Sequence, residues 1–112
     1  MALFSLRHSV KTFSEKRTDV SREAKLGQTG AHLRYITRPQ AARVVLQMRL
    51  LDGSRYRTAA KAEDEAQRRR GRVCERFMIA LPVEATQQQR EALTHAFAER
   101  LSKGVAGYVA AI

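Results

Sequence analysis

The sequence predicts an α+β fold in which helices pack on an antiparallel sheet, and three consecutive segments carry that prediction. Residues 75–81 (ERFMIAL) form a short apolar run that Pro82 ends, as in a buried strand. Residues 87–102 repeat apolar side chains at helical spacing, and residues 108–112 (YVAAI) form a second apolar run. We therefore expect a strand–helix–strand unit over residues 75–112, within a single domain of 112 residues.

The first forty residues predict a strand, an arm and a short helix. Residues 3–10 alternate loosely between apolar and polar side chains, which is typical of a half-buried strand. Residues 14–24 are polar and charged without apolar periodicity, so we expect a loop or an exposed arm there. Thr29 can cap a short helix that ends before Pro39, which places Tyr35 near the end of that helix.

The middle of the chain predicts one ambiguous element and one helix. Residues 41–51 hold apolar side chains that suit either a helix or a strand, closed by the turn residues 52–54. Residues 58–73 are rich in Ala, Glu, Gln and Arg, with acidic residues early and arginines late, which matches a helix dipole. We expect a mostly exposed helix there.

The helix over residues 87–102 has the clearest start signal in the chain. Thr86 and Gln89 stand at the spacing of a capping box, in which each residue bonds to the backbone of the other. Leu93, Phe97 and Leu101 form one apolar stripe along the helix. We expect that stripe to lie in the core.

Composition excludes several classes of protein. No apolar run approaches the roughly 20 residues that a membrane span needs, and Arg7, His8 and Lys11 leave no room for a signal-peptide core. The single Cys74 excludes an intramolecular disulfide and a zinc finger. No P-loop or dinucleotide fingerprint supports an ATPase or a dehydrogenase. We expect a cytoplasmic protein that does not contact a membrane.

The formal charge predicts a polyanionic partner. The chain carries 21 Lys and Arg against 11 Asp and Glu, a net charge of +10. Residues 1–60 hold 12 basic and 4 acidic side chains (+8), whereas residues 61–112 hold 9 and 7 (+2). Arginine dominates the first half, and its planar fork suits bidentate contacts with phosphate. Nucleic acid is the expected partner, because neutralised phosphates release condensed counterions.

Two segments resemble the MobA/MobL family of plasmid-mobilisation relaxases. GQTGAHLRYITR (27–38) is similar to the family's helix of small residues that ends in a Y-I-x-R-like sequence. GRVCERFMIALPVEATQQQREALTHAFAERL (71–101) is similar to the family's strand, its ALP-x-E-x-T-x-x-Q turn and the helix that follows. The resemblance implies that the chain is the N-terminal part of an HUH-type nicking domain, with a partial relaxase-like fold.

The activity that the resemblance implies is an endonuclease reaction, the site- and strand-specific nicking of transfer-origin DNA during conjugation and plasmid mobilisation. Tyr35 matches the family's nucleophile, which leaves a covalent 5′-phosphotyrosyl link and a free 3′-hydroxyl. The complete family domain uses a divalent metal, Mn²⁺ or Mg²⁺, held by a histidine cluster. Single-stranded or transfer-origin DNA and the accessory proteins of the relaxosome are the implied partners.

The sequence departs from the family pattern at the metal site. It stops at Ile112, before the position at which relatives continue into their metal-binding histidines. Its own His8, His32 and His95 lack metal-ligand spacing, so we assign no metal ligand and no cofactor to this chain. Whether the chain is an enzyme stays open, and we expect this truncated segment to bind DNA without metal-dependent nicking.

The candidate site consists of arginines and tyrosines. Tyr35 is the candidate catalytic residue; the alternative is an amphipathic side chain at a helix end, with its ring buried and its hydroxyl wet. Tyr56 suits stacking on an unpaired base or packing on the core, and both interpretations stay open. The candidate DNA-binding residues are Arg7, Arg34, Arg38, Arg43, Arg55, Tyr56 and Arg57.

A second interpretation of the chain needs no nucleic acid. A sheet that forms only part of a larger sheet exposes an edge strand, and exposed edges pair with other chains. The chain would then be a structural or regulatory protein that pairs through that edge, and a homo-oligomer would support this interpretation.

Overall fold

The computed structural model describes residues 6–112, and the α+β class predicted from the sequence is confirmed. The strands in that range are β1 (Leu6–Thr12), β2 (Ser21–Glu23), β3 (Val45–Met48), β4 (Arg72–Ile79) and β5 (Tyr108–Ala111). The α-helices in the same range are α1 (Gln28–Ile36), α2 (Arg55–Arg69) and α3 (Gln87–Ser102), and one 3-10 turn (Leu51–Gly53) leads into α2. None of these helices combines the length and the apolar character that crossing a membrane requires.

The larger sheet has three strands in the order β2-β1-β4. β1 and β4 are antiparallel over a register that runs from Leu6 opposite Ile79 to Thr12 opposite Arg72. The strands predicted over residues 3–10 and 75–81 are therefore present and paired, with shifted bounds. Residues 3–5 of the predicted strand lie outside the described residues.

The segment predicted as a loop or arm contains a short strand, so that prediction is wrong over residues 21–23. β2 pairs in parallel with the end of β1, where Val10 lies opposite Ser21. The amide of Val10 donates to the carbonyl of Val20 (2.9 Å), and the amide of Ala24 donates to the carbonyl of Thr12 (2.9 Å). Backbone pairing with β1 fixes this polar segment, and backbone pairing does not depend on the apolar periodicity that the sequence lacks there.

The smaller sheet joins β3 to β5 in an antiparallel pair, so residues 45–48 of the ambiguous segment 41–51 form a strand. The expectation that β4 and β5 belong to one sheet around α3 is wrong, because β5 takes β3 as its partner. Gly107 makes this approach feasible: a Cβ there would lie 2.8 Å from the carbonyl oxygen of Arg49. A residue with a side chain at this position would push the start of β5 away from the end of β3.

The starts of two helices match serine or threonine caps. α2 begins at Arg55, three residues before its predicted start, because the hydroxyl of Ser54 accepts a bond from the amide of Arg57 (3.2 Å). α3 spans residues 87–102 as predicted, and its capping box is formed by Thr86 and Gln89. Both helices end at a residue with left-handed backbone, which for α2 is Arg70 and stops the helix short of the predicted residue 73.

The start of α1 corrects another prediction. Gly27, with φ 84, is the N-terminal cap residue, and Thr29 lies inside the helix without capping it through its side chain. The amides of Gly27 and Thr29 donate instead to the carboxylate of Glu63 on α2. A distant carboxylate replaces the local cap that the sequence predicts.

Side-chain burial divides the chain into two parts. We call β1, β2, β4, α1 and α2 (residues 6–36 and 55–79) the three-stranded unit, and β3, α3 and β5 (residues 43–50 and 86–112) the two-stranded unit. The buried residues among those described all belong to the three-stranded unit; they are Val10, Thr12, Ala24, Ala59, Glu63 and Ala66. The core is therefore small, and its residues come from β1, from α2 and from the residue that follows β2.

The apolar stripe of α3 does not lie in the core, so that prediction is wrong. Leu93, Phe97 and Leu101 are 39%, 38% and 39% exposed. α3 contacts β5, and Thr94 and Ser102 of the helix are half-buried. The helix forms where the sequence predicts it, but the stripe stays partly exposed instead of being buried.

Candidate nucleic-acid interface

Tyr35 lies in the last turn of α1, and its side chain is 62% exposed. The guanidinium carbon of Arg38 lies 3.8 Å from the centre of the Tyr35 ring, and Arg38 also donates to the carbonyl of Tyr35. This contact fixes the arginine over one face of the ring. The exposed fraction of Tyr35 disagrees with the alternative in which its ring is buried.

Tyr56 lies in the first turn of α2, not in a turn before the helix, and it is partly exposed. The guanidinium carbon of Arg34 lies 5.2 Å from the Tyr56 ring centre, and that of Arg55 lies 5.7 Å away. Arg34 thereby joins the end of α1 to the start of α2. We call Arg34, Tyr35, Arg38, Arg55 and Tyr56 the tyrosine–arginine cluster.

The cluster is electropositive because its arginines lack acidic partners. Across residues 6–112, no Asp or Glu forms an ion pair with Arg34, Arg38 or Arg55. The Nη1 atom of Arg55 is buried without a hydrogen-bond partner in the same range. Arg57 differs, because its Nη1 atom lies 2.6 Å from the carboxylate of Asp52.

The first turn of α2 opposes the usual distribution of charge in a helix. It contains Arg55 and Arg57 and no acidic residue, although the start of a helix carries the positive end of the helix dipole. Each like charge in that position costs about 0.3–1 kcal/mol, so the arrangement has no evident value for stability. An anion bound at this end would remove the repulsion and accept bonds from the guanidinium groups.

The remaining candidate DNA-binding residues lie apart from the cluster. Arg7 is an exposed residue of β1, opposite Met78 of β4. Arg43 precedes β3, where its amide donates to the carbonyl oxygen of Ile112 (2.7 Å). Its side chain lines an open cavity of about 480 Å³ together with Arg90 of α3. The sequence therefore groups seven residues of which the structure brings four together, in addition to Tyr35.

Glu63 is the residue that sequence reasoning missed. It is 4% exposed, and its Oε1 and Oε2 atoms accept bonds from the amides of Gly27 (2.9 Å) and Thr29 (3.0 Å). The sequence presents it as the first of three consecutive acidic residues on a helix surface. The available signal is its spacing from Ala59 and Ala66, which puts all three on one face of α2.

Two titratable groups lie close to the start of α1. Burial raises the pKa of the Cys74 thiol, which a hydrogen bond with Thr29 and the charge of Lys11 oppose in part. Burial also lowers the pKa of His32, and the positive charges of Arg76 and Lys11 lower it further. Both groups are therefore held in their neutral forms.

The histidines do not fit a metal site. His8 stacks on Phe77 with ring centres 4.5 Å apart, and its Nε2 lies 3.2 Å from Glu75. His95 on α3 lies 3.1 Å from the hydroxyl of Tyr108. His32 lies on α1, so the three histidines belong to three different elements. Within residues 6–112, no group of three His, Cys, Asp or Glu residues is arranged to hold a metal ion. We therefore assign no metal-dependent step to these histidines.

Within the described part of the chain, the contact that Tyr35 makes with Arg38 can bind a phosphate but cannot remove the proton of the tyrosine. Arginine donates hydrogen bonds and stays protonated, so Arg38 is suited to hold a phosphoryl oxygen and unsuited to act as a base.

No family model, no curated protein and no solved structure matches the chain.

Proposed function

We propose that this chain binds single-stranded DNA through the tyrosine–arginine cluster, as the N-terminal portion of a cytoplasmic plasmid-mobilisation relaxase. The observation that carries the proposal is the pairing of two exposed tyrosine rings with three arginines that have no acidic partner among residues 6–112. The sequence resemblance over residues 27–38 and 71–101 supplies the choice of DNA and of transfer-origin sequence.

The proposed mode of binding follows from the chemistry of the two side chains. Unpaired bases stack on aromatic rings, which the exposed faces of Tyr35 and Tyr56 offer. Arg34, Arg38 and Arg55 contact the neighbouring phosphates through bidentate bonds. A duplex keeps its bases stacked on one another, so this surface favours a single strand.

The proposed parent reaction is attack by the Tyr35 hydroxyl oxygen on one phosphorus atom of the strand. A Tyr35 O–P bond forms, the bond from that phosphorus to the 3′-oxygen breaks, and the phenol proton ends on the freed 3′-hydroxyl. The product is a 5′-phosphotyrosyl link. A divalent metal and the accessory proteins of the relaxosome belong to the complete machinery; this chain binds the DNA and does not nick it by metal-dependent chemistry.

Salt-dependent binding tests the DNA-binding part of the proposal. Fluorescence anisotropy with a labelled 20-nucleotide single strand should give a Kd that rises steeply between roughly 50 and 200 mM salt. Arg55→Gln should weaken binding and lower the salt slope by about 0.7, the contribution of one phosphate contact on a single strand. Arg68→Gln is the matched control, because it removes the same charge from the opposite end of α2.

A covalent-adduct assay tests the catalytic part separately. The chain is incubated with single-stranded origin DNA, with and without Mn²⁺, and resolved on a denaturing gel beside Tyr35→Phe. We expect salt-sensitive binding without an adduct. An adduct that Tyr35→Phe abolishes would show that the chain nicks DNA by itself, and a probe that never binds would end the DNA proposal.

Partner binding is the second candidate function, and a specific observation favours it. β3 and β5 pair only with each other within the described residues, and the apolar stripe of α3 beside them is exposed. Such a surface suits a structural or regulatory protein that pairs with another chain. A dimer in sedimentation velocity that persists at high salt, combined with no DNA affinity, would favour this function over the first.

A further inference from the structure

We propose that Glu63 is a positioning residue that sets the placement of α1 on α2 and thereby assembles the tyrosine–arginine cluster. The inference rests on the proposed function, because its readout is DNA binding by that cluster. Glu63 does not touch the DNA-binding side chains in this arrangement; it acts through the backbone of α1.

The geometry places Glu63 at one end of α1 and the cluster at the other. Glu63 follows Arg55 by eight residues on α2, a rise of about 12 Å at 1.5 Å per residue. It holds the first turn of α1, and Arg34 in the last turn reaches back to Tyr56 at the start of α2. α1 therefore runs antiparallel to α2 and is attached to it at both ends.

Two features leave α1 dependent on this attachment. The helix has nine residues, and a helix of that length is marginal without tertiary contacts. It also has no side-chain cap of its own and no acidic residue in its first turn. The carboxylate of Glu63 supplies both the missing acceptors and the missing negative charge.

Both oxygens of Glu63 are needed for this role. Oε1 serves Gly27 and Oε2 serves Thr29, so the orientation of the carboxylate fixes the direction from which α1 leaves α2. A glutamine offers one acceptor oxygen, and its amino group would face a backbone amide as donor against donor. Glu63→Gln therefore changes the anchor while nearly preserving the volume of the side chain.

The test compares Glu63→Gln with Glu65→Gln, which removes the same charge from an exposed position two residues away. Loss of one negative charge alone should slightly tighten binding to DNA. We expect Glu63→Gln instead to raise the Kd for a labelled single strand roughly tenfold, because the arginines no longer meet the phosphates together. The two variants should thus move in opposite directions.

A double-mutant cycle with Arg34→Ala separates positioning from a general loss of folding. If Glu63 acts by placing α1, the effect of Glu63→Gln on the Kd should become smaller once Arg34 is truncated, because one of the contacts that α1 positions is already lost. A partly unfolded Glu63→Gln would weaken binding equally in both backgrounds and overturn the inference. Circular dichroism at the assay temperature checks that each variant is folded.

A second variant covers the case in which Glu63→Gln does not fold. Thr29→Pro removes one of the two donors and leaves Glu63 intact, and proline is compatible with the first turn of a helix. Thr29→Ala is its control, because it removes the hydroxyl that bonds to Cys74 and keeps the amide. Thr29→Pro should weaken DNA binding in the same direction as Glu63→Gln. Suppose that the wild type binds DNA and loses affinity on Arg55→Gln, but that Glu63→Gln and Thr29→Pro bind with the same Kd as the wild type. That outcome would overturn this inference and leave the proposed function standing. A wild-type protein that does not bind DNA would overturn both.

Discussion

The three-stranded unit and the two-stranded unit have similar secondary structure but are held together differently. Every residue that is buried among those described belongs to the three-stranded unit, including Val10 of β1 and Ala59 and Ala66 of α2. The two-stranded unit relies on backbone bonds between β3 and β5 and on one arginine, Arg49, at their end. Regular elements alone therefore do not make a core; a side chain stabilises the fold only where another element covers it.

The largest difference should appear when a valine is truncated in each unit. Val10 is 3% exposed and Val105 is 79% exposed. Val10→Ala should lower the free energy of unfolding by about 2 kcal/mol, since it removes buried methyl groups and leaves a cavity. Val105→Ala should change it by less than about 0.5 kcal/mol. Urea titrations followed by circular dichroism measure both, and equal losses would refute the division into a packed and an unpacked unit.

The same contrast explains what could be predicted from the sequence. The bounds of α3 follow from a local signal, the capping box of Thr86 and Gln89, and local signals survive in any tertiary context. The stripe of Leu93 was assigned to the core because amphipathicity shows which face is apolar, but it does not show what lies opposite that face. The partner of β5 is β3, a strand from a distant part of the chain, and no local pattern reveals that pairing.

In the candidate site, too, local contacts can be predicted from the sequence and distant contacts cannot. Tyr35 and Arg38 are three residues apart on one helix, so helical spacing places them together, and the structure shows them in contact. Glu63 was missed because its partners, the amides of Gly27 and Thr29, are backbone groups more than thirty residues away. Every residue except proline has a backbone amide, so the side chains in the sequence do not show which amides bind a carboxylate. A buried carboxylate that bonds only to backbone therefore looks, in sequence, like a solvated one.

An arginine comparison tests what holds the two-stranded unit. Arg49 bonds to Glu99 (3.1 Å), to Ser102 (2.9 Å) and to the carbonyl of Ala106 (3.0 Å), and it is partly shielded from solvent. Arg49→Ala should lower the free energy of unfolding by about 1–2 kcal/mol, because several bonds are lost at once. The exposed pair of Arg57 with Asp52 should contribute less than about 0.5 kcal/mol. If Arg57→Ala costs as much as Arg49→Ala, the network does not fasten this unit.

A substitution on the partly exposed stripe should cost less stability than one in a core. Phe97→Ser should lower the free energy of unfolding by about 1–2 kcal/mol, below the roughly 3–5 kcal/mol expected for truncating a fully buried phenylalanine, because the side chain is 38% exposed. It should also reduce binding of a hydrophobic dye and any self-association, because the stripe is apolar surface. A large loss of stability in a monomer would mean that this face of α3 is covered.

The smallest expected effect is a pH dependence inside the three-stranded unit. The pKa of His32 is lowered by burial and by the charges of Arg76 and Lys11, so the unfolded chain binds this proton more readily than the folded chain does. The contribution of His32 to stability is therefore present above the unfolded pKa of about 6.5 and declines as the pH falls from there through the lower pKa of the folded state. The unfolding midpoint of the wild type should fall more than that of His32→Gln between roughly pH 7 and pH 5. Because the ring is only partly buried, the difference should be modest, and parallel pH profiles for the two proteins would show that the His32 ring is as open to solvent in the folded chain as in the unfolded one.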